Sequence, residues 1–96
     1  MKMNIGRQNR FGVMYRLTEL SDTTTRIAIM NKDGSEGKHM IVKAEIHDLS
    51  TAWFQWQMRG MFIQDAFYFL GPDEREFLLT GLLPAEFAAI VGEDDE

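Results

Sequence analysis

The segment from Trp53 to Leu70, WFQWQMRGMFIQDAFYFL, constrains the fold more than any other part of the chain. At helical spacing, Trp53, Trp56, Gly60, Ile63, Phe67 and Leu70 follow one another in steps of three or four, while Gln55, Arg59 and Asp65 fall off that line. Phe54, Met58, Met61 and Phe62 widen the stripe until little polar face remains. A helix of this kind has to be covered on most of its sides, so a second layer must lie against it.

The stretch before it can supply that layer. Phe11, Val13, Tyr15 and Leu17 alternate with Gly12, Met14, Arg16 and Thr18, which is the period of a half-buried strand with the first four facing the core. Ser21 and Asp22 mark a turn. Thr23 to Met30 is rich in β-branched residues and reads as a second strand. The segment NKDGSEG, Asn31 to Gly37, carries Asp-Gly and a further glycine, a hairpin signal. It leads into a third strand, His39 to Ile46, where Met40, Val42, Ala44 and Ile46 share a face. The expected architecture is α+β: a three-stranded antiparallel sheet packed against two or three C-terminal helices. In this reading one domain covers 1–96, with a loosely held arm over 1–10, the sheet over 11–47, helices over 48–91 and a solvated acidic tail over 92–96.

Helix boundaries follow from caps and breakers. Asp48 or Ser50 is expected to open the central helix, which runs from about Thr51 to Phe69 or breaks near Gly60, where glycine costs roughly 1 kcal/mol relative to alanine. Gly71 ends it, and Pro72 suits the first position of the next helix, with Asp73, Glu74 and Glu76 near its positive end. Thr80 and Gly81 stop that helix, and Pro84 starts a last short one.

The 96 residues contain no cysteine, which removes disulfides and thiolate metal sites and fits a reducing compartment. No signal-peptide core or long apolar run is present, so the chain reads as a soluble cytoplasmic protein without a membrane span. The net charge of −5 is divided unevenly: residues 1–47 carry plus three and residues 48–96 carry minus eight. Such asymmetry points to a partner selected by charge.

Motifs for catalysis or cofactors are lacking. His39 and His47 lie eight apart without cysteine, and Gly34 and Gly37 lack the spacing and lysine of a phosphate loop. The expectation is a non-enzymatic protein with no cofactor and no metal. Two binding surfaces compete. The acidic residues Asp73, Glu74, Glu76 and Glu86 could meet a basic protein surface, with Trp53 or Trp56 as an anchor wherever the sheet leaves it uncovered. Alternatively Arg7, Arg10, Arg16 and Arg26, with Phe11 and Tyr15, could bind nucleic acid. A homodimeric structural protein is the third reading.

From Ile63 to Phe87 the pattern Ile-Gln-Asp-Ala-Phe, then Glu-Arg-Glu-Phe-Leu, then Thr-Gly and Pro-x-Glu, resembles the C-terminal part of short phage proteins. The resemblance spans about a quarter of the chain and brings no catalytic residue with it. It implies a small host-directed protein, a class that includes inhibitors of bacterial defence such as anti-CRISPR proteins. The resemblance implies a host protein as partner, with a nucleic-acid-binding complex of the host cytoplasm among the candidates.

Overall fold

The computed structural model describes residues 3–9, 11–83 and 86. Its sheet has four strands, β1 (Asn4–Gln8), β2 (Met14–Ser21), β3 (Thr24–Met30) and β4 (Glu36–Val42), antiparallel throughout and adjacent in chain order. Among the described residues three helices follow: α1 (Ile46–Met58), the single turn α2 (Ile63–Ala66) and α3 (Pro72–Thr80). The α+β class stands, but the strand count is corrected from three to four. The added strand lies in the segment expected to be a loose arm. Its sequence, NIGRQ, has one large apolar residue, so alternation gives no signal; pairing with β2 from Asn4↔Thr18 to Gln8↔Met14 makes it a strand.

One sheet face builds the core. Tyr15 and Leu17 of β2, Thr25 and Ile27 of β3 and Val42 of β4 are buried there, with the Thr25 hydroxyl donating to the Ala44 carbonyl at 2.8 Å. Phe11 departs from this pattern. It lies in the β1–β2 turn and is 72 % exposed, because the strand begins at Met14 and the turn takes up the preceding residues. Asn9 organises that turn: its side-chain oxygen accepts the Phe11 and Val13 amides, both at 2.9 Å.

The central helix starts earlier than its polar residues suggest. Neither Asp48 nor Ser50 is its cap; Glu45 holds that position without a side-chain cap bond. The reason is apolar: Ile46, Leu49, Trp53 and Trp56 recur at three, four and three, and all four are buried. Ser50 instead accepts a hydrogen bond from the Arg7 guanidinium of β1. The helix ends before Gly60, whose φ of +71° lies in the left-handed region that a side chain disfavours.

Beyond that break the chain folds back over α1. Phe67 meets Trp53 and Trp56 edge-on, at 5.8 Å for both ring pairs, and Tyr15 joins Trp53 at 5.4 Å and Phe77 at 5.9 Å. Edge-to-face pairs of this kind add roughly 0.5–1.5 kcal/mol each beyond their buried area. The N-cap of α3 is Gly71, with Pro72 at its first position, and the Glu74 carboxylate accepts the Gly71 amide at 2.8 Å. At the other end of α3, Gly81 takes a φ of +83°. There the Tyr15 hydroxyl lies 2.8 Å from the Phe77 carbonyl, and the Asn9 amide reaches those of Leu78 and Leu79. Sheet and helix are thereby joined through the carbonyls that a helix end leaves open. The expected helix from Pro84 and the acidic tail lie outside the described residues. No described helix is long and apolar enough to cross a membrane.

Candidate partner-binding groove

Next to its buried stripe, a second line of residues runs along α1 to its C-cap and borders a groove. Asp48, Ala52, Gln55 and Arg59 recur at steps of four, three and four and so share one side of the helix. An open groove of about 560 Å³ runs beside that line. Ala44, Ala52 and Ala66 form its apolar floor, each nearly buried. Asp22 of the β2–β3 turn, Glu45 and Asp48 contribute carboxylates, Lys43 contributes one cation, and Tyr68 and Phe69 form an aromatic wall. A second hollow of about 310 Å³, lined by Gln55, Arg59 and Met61, shares Gln55 with the first. The groove is therefore acidic where α1 begins and reaches a cation where it ends.

The aromatic wall continues the core outward. Phe67, fully buried, contacts Phe69 at 6.1 Å, and Phe69 meets Tyr68 edge-on at 5.4 Å. Tyr68 is nonetheless 77 % exposed. Phe54 and Met58, one turn apart on the neighbouring side of α1, are exposed as well, as is Phe62 just before α2.

The groove acids differ from the acids elsewhere. Among the described residues, no side-chain hydrogen bond or ion pair engages the carboxylates of Asp22, Glu45 or Asp48, although the Glu45 carbonyl accepts the Leu49 amide. By contrast, the carboxylates expected to form a partner surface are mostly engaged within the chain. Glu74 caps α3, and Glu76 accepts the Thr80 hydroxyl at 2.9 Å. Glu86 accepts the Leu83 amide and pairs with Lys38 at 3.1 Å; that amide, then the lysine, holds its carboxyl below the usual value. Asp73 is exposed in the first turn of α3. Trp53 and Trp56 are each 1 % exposed and form the centre of the core, so the expected aromatic anchors offer nothing to a partner. The Trp53 ring nitrogen is also committed, donating to the Gln8 carbonyl at 2.9 Å. Sheet and returning chain cover both tryptophans, and exposure falls instead to Tyr68, which a continuous helix would not have distinguished from them.

Among the described residues, the arginines do not assemble into one basic surface. Arg16 and Arg26 lie on the open sheet face and flank Glu36 at 3.6 and 2.7 Å. The Arg26 hydrogen bond holds the Glu36 carboxyl below its ordinary value and in turn raises the pKa of Arg26. Arg7, two residues past Ile5 and so on the same, core side of β1, bonds to Gly6 and Ser50. Arg10 lies outside the described residues. His39 and His47 are exposed, and among the described residues no group of three histidine or acidic side chains could hold a metal ion.

Compared with known protein families, with curated proteins and with solved structures, the chain matches none.

Proposed function

We propose that this is a non-enzymatic interaction protein that binds another protein along the outer side of α1. The observation that carries the reading is the exposed aromatic wall of Tyr68 and Phe69 beside an open groove, in a chain whose two tryptophans are fully buried. Exposed aromatic and methionine side chains grouped around a concave surface are characteristic of protein interfaces. The resemblance to short phage proteins suggests the setting: a host protein whose working surface is occupied, as an inhibitor of a host defence machine would do. The acidic surface on α3 has less support, because Glu74, Glu76 and Glu86 already serve the fold. The nucleic-acid reading has less support for the same kind of reason, since Glu36 neutralises part of the Arg16 and Arg26 charge that phosphate would need.

The test is capture from a bacterial lysate with tagged protein, with and without nuclease, alongside Tyr68→Ser. A protein partner retained after nuclease and lost with Tyr68→Ser is the expected result. Nucleic acid alone, recovered equally by both proteins, would overturn the proposal.

A further inference from the structure

We infer that the groove takes a short extended segment of its partner bearing arginine or lysine, with that cation at the end where α1 begins. The inference rests on the protein-binding reading above and names the chemistry of the bound segment. Three carboxylates, Asp22, Glu45 and Asp48, stand against the single Lys43, and none of the three is neutralised by a described neighbour. Glu45 and Asp48 are placed where carboxylates commonly close a helix start, yet the cap residue makes no side-chain cap bond. Their charge is left facing the groove. Beside them Tyr68 and Phe69 line the groove, and aromatic rings attract guanidinium and ammonium groups more strongly as water is excluded. The apolar floor of Ala44, Ala52 and Ala66 has room for the methylene stem of such a side chain.

Length and polarity follow from α1 itself. Asp48 and Arg59 are eleven residues apart, about 16 Å along a helix, a span that about five residues of extended chain would cover. Arg59 and Met61 line the far hollow, so the occupant's other end meets a cation and is best served by a carboxylate or an apolar side chain. A segment with basic residues at one end and an acid at the other matches the groove in charge along its whole length.

The probe is the peptide acetyl-Arg-Ala-Arg-Ala-Ala-Glu-amide, compared with the same peptide carrying citrulline, which keeps the side-chain shape and removes the charge. Binding is followed by amide correlation NMR at up to about millimolar peptide, a range that detects weak association. Shifts are expected at Thr23, Glu45, Asp48, Gln55 and Tyr68. Citrulline is expected to weaken binding about tenfold, as is Asp48→Lys, and Tyr68→Ala about threefold or more. Asp73→Lys makes the same charge change away from the groove and should alter affinity less than about twofold. The dispersion of each spectrum reports whether the variant is folded. Equal binding of the citrulline peptide at these amides would overturn the cationic class while leaving the groove as a protein site. Shifts centred outside the groove, or none at all, would overturn the inference even where lysate capture still depends on Tyr68. Concentration-dependent shifts of the same amides without peptide would assign the groove to a second copy of the chain and overturn it too.

Discussion

Asn9 is 5 % exposed, and both ends of its side-chain amide are used. Its oxygen accepts two amides of the β1–β2 turn, while its nitrogen serves carbonyls at the end of α3 and lies 3.4 Å from the Tyr15 hydroxyl. Asn9→Ala leaves several of these groups short of a partner at once, with an expected loss of about 2–3 kcal/mol in urea unfolding. Tyr15→Phe should cost less, about 1 kcal/mol, because the Asn9 amide still reaches Leu78. The double variant should lose more than the sum of the two, since each single variant leaves the other donor on the Leu78 carbonyl and only the double strips both. Additive losses would show that the two side chains act separately. Glu36 carries a pH dependence whose direction is set by its arginines. Its carboxyl is held below the ordinary value of 4.5, first by the Arg26 hydrogen bond, so its stabilisation is complete above that value and is lost as pH falls through the lowered one. The stability gap between the native protein and Glu36→Gln should therefore be open at neutral pH and narrow below 4.5, as followed by thermal unfolding across pH.

At the scale of elements, breakers were more legible than beginnings. Gly60, Gly71–Pro72 and Gly81 mark real boundaries because each acts locally, by admitting a positive φ or by starting a helix that needs no first amide. The start of α1 was missed because nothing polar announces it; Ile46 and Leu49 join the helix to bury themselves beside Trp53. β1 was missed because a strand of NIGRQ owes its form to its neighbour. Glycine positions allow a graded test. A Cβ on Gly81 would sit 3.2 Å from the Ile29 side chain at a φ of +83°, whereas one on Gly60 would meet nothing within 4 Å at +71°. Both alanine variants pay for the left-handed backbone, roughly 1–2 kcal/mol. Gly81→Ala should lose more, and in chemical denaturation its midpoint should fall below that of Gly60→Ala. Equal midpoints would mean that the Ile29 contact relaxes without cost.

Across the whole molecule, the candidate groove could not be read from any one stretch, because its walls come from residues 22–23, 43–55 and 66–69. Aromatic content drew attention to Trp53 and Trp56, but burial separates these from the exposed Tyr68, and burial depends on how the chain returns after Gly60. The same dependence on assembly makes the N-terminal segment structural. Ile5 packs against the core, the Gln8 carbonyl takes the Trp53 ring N–H, Arg7 reaches Ser50 on α1, and Asn9 reaches α3. Thus one short segment is bonded to the sheet, the central helix and the last described helix. Deleting residues 1–9 removes one strand ladder and leaves a buried indole N–H and helix-end carbonyls without these partners. Orphaned buried polar groups cost about 1–3 kcal/mol each. A combined loss of at least about 3 kcal/mol would lower the melting temperature by roughly 12–24 °C in a domain of this size. Near-ultraviolet circular dichroism should lose intensity together with it, since Trp53 bonds to Gln8 of β1, Tyr15 pairs with Arg7 of β1, and the two rings meet at 5.4 Å. A shortened protein with the native aromatic signal and an unchanged melting temperature would return residues 1–9 to the role of an arm.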